Sequence, residues 1–207
     1  MVAKVLILSQ NDQHHHLEEL GFEIVDWTRG LQNLVMEVSH DKEILRDGGL
    51  DRHDVCIICA SMDDITAEQE RGIVKFVKKG GRLLGIHSAT VVDESRTAYI
   101  NLIGGRFTHH SHYHEFEVRI EEKDHPITDG IEDFKIVDEL YVLDRRPKEV
   151  QVLATAYWEG RAQPLLYVKT EGEGKVLYNA LGHDQAAFNT FAFKRLVIQG
   201  ISWLAGI

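Results

Sequence analysis

Histidine is the residue this sequence uses most unusually: there are 12 in 207 residues, and many fall in or near expected loops. His87 stands where a short apolar run, Leu83 to Ile86, ends abruptly in Gly85-Ile86-His87-Ser88-Ala89. An imidazole at such a turn can ligate a metal, move a proton near neutral pH or hydrogen-bond a ligand, but it is an unusual nucleophile. His183 ends a second apolar run in Leu181-Gly182-His183-Asp184, with an acid beside it. His109 follows Gly104-Gly105, whose bare backbone can approach a pocket closely. The spacing of His112 and His114 puts both on one strand face, as metal sites often require. His110 shares that phase, and all three are expected to point inward. His14, His15 and His16 follow the first strand, and His15 is taken as the one facing a ligand. Glu139 and Tyr141 are expected to share a strand face and offer a carboxylate and a phenol to the same cavity.

Each candidate has a quieter reading. His87 can be a neutral histidine bonded to backbone, His109 can lie on a surface loop, and His112 and His114 can fill core. Glu139 can belong to a solvated acidic edge, and His125 before Pro126 suits a turn cap. Ser88 is a rival nucleophile, but its Oγ is expected to point into the following helix. A Ser88-His183-Asp184 triad is disfavoured because adjacent residues on a strand face opposite ways. The set assigned to catalysis is therefore His87, His183, Glu139 and His109, with His15, Ser88, Tyr141 and Asp184 as substrate contacts. Two chemistries remain open. In one, His87 and His183 with a further His or Glu139 hold a divalent metal, zinc first, leaving a position for a substrate hydroxyl or carbonyl. In the other, histidines and Glu139 act as acid and base without a metal. No motif of fixed spacing such as H-E-x-x-H occurs to decide between them.

These side chains need a scaffold that turns strand ends toward one another. Val5-Leu6-Ile7-Leu8 reads as a central strand buried on both faces, and Asp54 to Ala60 as another. Between them, His15 to Leu20 is expected to begin a helix that stops at Gly21, followed by a strand from Phe22 to Trp27. A short strand near Met36 to Val38 and a short helix around Glu43 to Leu45 come next. Thr66-Ala67-Glu68-Gln69 is a capping box opening a helix that ends at Gly80-Gly81. The strand before His87 follows, then a helical stretch from Thr90 to Leu102. Alternation marks a half-exposed strand around Phe116, Val118 and Ile120, and further strands are expected at Asp138 to Leu143 and Val150 to Trp158. Leu165 to Val168 and Lys175 to Ala180 read as a hairpin, and Phe191 to Leu204 as a closing helix. The alternation of strand and helix in the first half predicts an α/β fold with a mostly parallel sheet.

Composition narrows the partners. The formal net charge of -10, with no basic block, argues against a nucleic-acid backbone or an anionic membrane. No apolar run is long enough to span a bilayer and no signal peptide is read, so a cytoplasmic protein is expected. Cys56 and Cys59 spell C-x-x-C, but inside an expected buried strand their side chains point to opposite faces and read as core. No nucleotide cofactor is expected. A homodimer is expected, and one domain over residues 1–207, with no internal repeat or linker.

The motifs taken together resemble a known family. Gly80-Gly81 through Gly85-Ile86-His87-Ser88-Ala89, then Gly104-Gly105-Arg106-Phe107-Thr108-His109, His125-Pro126-Ile127, Asp138-Glu139-Leu140-Tyr141 and Gly174-Lys175 through Leu181-Gly182-His183-Asp184 are similar, in order, to the ThuA-like (trehalose utilisation) family. That resemblance implies the class I glutamine amidotransferase-like fold: a flavodoxin-like, mostly parallel sheet flanked by helices, here with an added C-terminal β-hairpin. It also implies a role in carbohydrate metabolism around trehalose or 3-keto sugars. His87 stands where the parent amidotransferases hold a nucleophilic Cys, so no glutaminase activity is expected. The expectation is a protein that acts on or binds a sugar at a His-rich site and, if an enzyme, is a hydrolase, lyase or isomerase using His. The competing class is a non-catalytic sugar-binding or regulatory module, since fold does not settle function.

Overall fold

Ala3–Ser9 forms β1, with six of its seven residues buried, because a strand with parallel neighbours and helices on both faces has no polar side. The computed structural model of the chain describes residues 2–207. Leu17–Trp27 is α1, Leu34–Ser39 is β2 and Val55–Cys59 is β3, every residue of the last buried. A 3-10 turn at Lys42–Leu45 lies between β2 and β3. Ala67–Lys78 is α2, opened by the reciprocal Thr66–Gln69 capping box read from the sequence. It leads into Arg82–Ile86, β4. Then come α3 (Thr97–Ile103), β5 (Phe107–His110), β6 (His114–Ile120), β7 (Phe134–Asp138), β8 (Tyr141–Leu143) and β9 (Gln151–Trp158). β10 (Arg161–Glu171), β11 (Gly174–Asn179), α4 (Gln185–Phe188) and α5 (Phe191–Ala205) complete the chain.

Nine strands make one sheet in the order β2-β1-β3-β4-β11-β10-β9-β6-β7. The first five run parallel, in the 2-1-3-4-5 sense of a flavodoxin-like sheet, and β10, β9, β6 and β7 extend it antiparallel. The expected hairpin is β10–β11, and its second strand completes the parallel half by pairing with β4. A separate two-stranded ribbon joins β5 to β8. The carboxyl ends of β1, β3, β4 and β11 therefore lie side by side, and the loops after them face one crevice. No described helix is long and apolar enough to cross a membrane.

The structure departs from three expectations about the backbone. The helix does not stop at Gly21, and Phe22 to Trp27 is its second half rather than a strand. Gly21 is there for packing: a Cβ on it would stand 2.3 Å from Ser9 Oγ, so the missing side chain lets α1 lie directly on β1. The stretch from Thr90 to Leu102 is not one helix. A 3-10 turn covers His87–Thr90, Val92 bridges Met62 in a strand-like pairing, and α3 begins only at Thr97. Asp138 to Leu143 is broken at Glu139 and Leu140, so β7 belongs to the large sheet and β8 to the ribbon. Glu139 and Tyr141 thus do not share a strand face. Cys56 and Cys59 are free and fully buried in β3, and burial pushes the Cys56 thiol up to about 12, so no thiolate is available.

Candidate functional site

Three imidazoles meet over the parallel strands. The rings of His15, His87 and His183 form a near-equilateral triangle, with centroids 5.2 Å, 5.2 Å and 5.3 Å apart. His15 comes from the loop after β1, His87 from the turn after β4 and His183 from the loop after β11. Glu139, from the gap between β7 and β8, closes the fourth side, with its Oε2 3.3 Å from His183 Nδ1 and 3.9 Å from His87 Nε2. Each of the four offers one ligand atom, and all four atoms lie within 4.8 Å of one another.

Local structure fixes how each ring is turned. His87 takes a left-handed backbone (φ 43°), an unusual conformation for a side chain of its size, which lifts the ring off the end of β4. Its Nδ1 donates to the Ala180 carbonyl at 2.8 Å, which aims Nε2 into the cluster. His15 is turned by Asp12: both carboxylate oxygens lie 2.9 Å from Nδ1, and Oδ1 also accepts the amides of His14 and His15. His15 Nε2 is left facing the Tyr141 hydroxyl at 3.2 Å. A carboxylate behind His15 and a carbonyl behind His87 are the arrangement that orients metal-binding histidines and fixes their tautomer.

Burial sets the charges. His87 is fully buried and its pKa lies well below the ordinary 6.5, first through loss of solvent and then through the His15 imidazole, with the Ala180 carbonyl acting the other way. Burial also lowers His183, against the upward pull of Glu139. For Asp12, burial raises the carboxyl, but His15 and the loop amides outweigh it and hold it below its usual range. Behind Glu139, burial pushes Asp138 up to about 7, opposed by backbone amides. His87 Nε2 and His183 Nδ1 are buried without a hydrogen-bond partner among the described residues. An unpartnered buried ring nitrogen is costly, and a bound ion or ligand atom would satisfy it.

The cluster opens into a cavity of about 530 Å³, lined by Asp12, Gln13, His14, His15, Ser61, Asp63, Val91, Phe107, His110, Glu139, Tyr141 and His183. That volume lies in the range of about 300–1,000 Å³ typical of small-molecule sites. A groove of about 720 Å³ on the outer face of α2 is larger, but its lining, including Arg71, Val74 and Lys78, gathers no comparable set of donors. Size does not select the site; convergent chemistry does.

Of the residues expected at the site, His15, His87, Glu139, Tyr141 and His183 come together. His109 does not: it is exposed and its Nε2 pairs with Glu159 at 3.1 Å. A register shift in the β5–β8 ribbon between Phe107 and His109 leaves His110 facing the cavity instead, with Nδ1 3.6 Å from Glu139 Oε1. His112 and His114 do not point into the core: their rings stack on each other 4.2 Å apart and lie against Trp158. Ser88 is buried with an unpartnered Oγ, and no triad forms. Instead Asp184 caps α4 with Oδ1 and accepts the Tyr113 hydroxyl at 2.7 Å on Oδ2. Sequence reasoning missed Asp12, whose signal was an acid three residues before His15 in a polar loop.

A sequence profile of the ThuA family, described as trehalose utilisation, matches residues 4–204. The chain belongs to that family. The ThuA fold recurs in solved structures. A ThuA-like protein from Bacteroides uniformis ATCC 8492 is 16% identical, covers 98% of this chain and 91% of its own, and superposes with a TM-score of 0.84. A second, from Parabacteroides merdae ATCC 43184, is 19% identical over 99% of this chain and 90% of its own, with a TM-score of 0.79. A GMP synthase component from Thermoplasma acidophilum is 13% identical over 100% of this chain and 96% of its own, at 0.63. At these identities the likeness shows the fold, which is amidotransferase-like, as the ThuA motifs implied. No curated protein matches the chain. Membership in the ThuA family gives a carbohydrate-related role.

Proposed function

We propose that His15, His87, Glu139 and His183 hold a divalent metal ion, and that the chain uses this centre to act on a sugar related to trehalose or its keto derivatives. The observation that carries the reading is the pair of buried, unpartnered nitrogens, His87 Nε2 and His183 Nδ1, turned toward one carboxylate. Neutral imidazoles with a single carboxylate suit zinc or a similar transition ion better than calcium or magnesium, which prefer oxygen. The depressed pKa values of His87 and His183 favour the same reading, because a metal ligand must be unprotonated. The ion would supply Lewis acidity toward a sugar carbonyl or hydroxyl.

The chain's own groups do the rest. Asp12 holds His15 with its Nε2 toward the centre, and Tyr141 presents a hydroxyl beside it. The rings of Phe107 and Tyr141, 4.3 Å apart, give the cavity an apolar wall against which the C–H face of a sugar can lie. Gln13, Ser61 and Asp63 line the same space with groups that hydrogen-bond hydroxyls. His110, near Glu139 at the open side, is placed to exchange a proton with bound substrate.

The test is elemental analysis of purified protein and zinc titration of the chelated form, for wild type, His87→Ala and His183→Ala. Near-stoichiometric metal lost in both variants is the expected result. Wild-type protein that takes up no zinc, manganese or iron would remove the metal. Turnover of trehalose or a 3-keto sugar that stops in His87→Ala while binding persists supports the enzyme. Binding with no turnover under any metal points to the sugar-binding module instead.

A further inference from the structure

Asp138 is the last residue of β7 and is fully buried. Its carboxylate meets no Lys or Arg among the described residues; backbone amides fill it. Oδ1 accepts the amide of Glu139 at 2.8 Å and that of His183 at 3.2 Å, and Oδ2 accepts the amide of Gly182 at 2.8 Å. Two of these amides belong to members of the cluster, and the third precedes one of them. The loops concerned come from opposite halves of the sheet: β7 is the antiparallel edge, whereas β11 lies in the parallel core. Gly182 has φ 111°, which only glycine adopts readily, so the second loop is bent to present two consecutive amides to one carboxylate. A buried carboxylate is expensive unless its hydrogen bonds are made, and here three backbone amides make them.

We infer that Asp138 is a positioning residue, a clamp across the two loops that sets the separation of Glu139 from His183 and so the spacing of the metal ligands. The inference rests on the proposed metal centre. It touches neither ion nor substrate; it acts through the two ligands it ties. Outer partners of this kind change metal affinity by about 10–100-fold when removed.

The experiment compares zinc affinity by calorimetric titration in wild type, Asp138→Asn and Tyr167→Phe, all at a temperature where each is folded. Asparagine keeps the shape of the side chain but sets an NH2 group against the Gly182 amide. Tyr167→Phe removes another buried hydrogen bond, to the Ile103 carbonyl away from the site, and reports what simple destabilisation does. The clamp predicts zinc binding about 10–100-fold weaker in Asp138→Asn and unchanged in Tyr167→Phe. Affinity within twofold of wild type in Asp138→Asn overturns the clamp and leaves the metal centre standing. If Asp138→Asn does not fold, Asp138→Glu, which keeps the acceptors but moves them by one methylene, takes its place with the same expectation. If wild type binds no zinc, the metal reading fails and the clamp is judged on the metal-free protein. His183 ring resonances displaced in Asp138→Asn but not in Tyr167→Phe then uphold it, and coincident resonances overturn it.

Discussion

Acid should destabilise the metal-free protein through His87. In the folded chain this ring is fully buried and holds its neutral form well below pH 6.5, whereas in the unfolded chain it titrates near the ordinary 6.5. Below that pH the unfolded state binds a proton that the folded state refuses, so stability falls as pH falls. While the folded ring stays neutral, the loss approaches about 1.4 kcal/mol per pH unit, and it integrates to about 2 kcal/mol between pH 7.5 and 5.0. The partner variant is His87→Asn. Asparagine tolerates the left-handed backbone, can donate to the Ala180 carbonyl and does not titrate. Urea unfolding of both chelated proteins at the two pH values measures the difference. The drop in stability on acidification should be smaller in His87→Asn by about 2 kcal/mol. Equal drops in the two proteins would mean that His87 is not held neutral, and the case for an unprotonated ligand would lose its footing.

Other outcomes follow from the same geometry. Asp12→Asn should weaken zinc binding by about 10–100-fold while the protein stays folded, because His15 loses the carboxylate that orients it; calorimetric titration checks this. Gly21→Ala should destabilise by about 1–3 kcal/mol, since its Cβ would stand 2.3 Å from Ser9 Oγ, and Ser9→Gly in the same chain should restore most of the loss in urea unfolding. His109→Ala should leave sugar turnover within about twofold, whereas His110→Ala should lower it by about a hundredfold or more, the scale of a lost proton-transfer group; initial rates on one sugar separate them.

The parallel half of the fold was legible because its signals are local. Unbroken apolar runs gave β1, β3 and β4, and the Thr66–Gln69 pair located the start of α2. His87 and His183 were legible for the same reason, since each ends such a run. What failed depended on distant contacts. Gly21 reads as a helix stop in isolation, and only its contact with Ser9 shows why the helix runs through it. The break at Glu139 and Leu140 sends neighbouring strands into different sheets, which no periodicity records. A register shift in a four-residue strand exchanged His109 for His110. Asp138 sits within a family motif, yet two of its three partners lie 44 and 45 residues away, beyond the reach of pattern.

The cluster draws its members from position 15 near the start of the chain and position 183 near its end, with 87 and 139 between. Anything that occupies the site is gripped at once by loops from four widely separated parts of the polypeptide. Unfolding of any one of them must let go of the occupant, so free energy of binding is shared by the whole molecule as resistance to opening. A bound ligand should therefore slow hydrogen exchange in those buried strands, β1, β4 and β11, whose amides open only when the whole fold does, and not only beside the histidines.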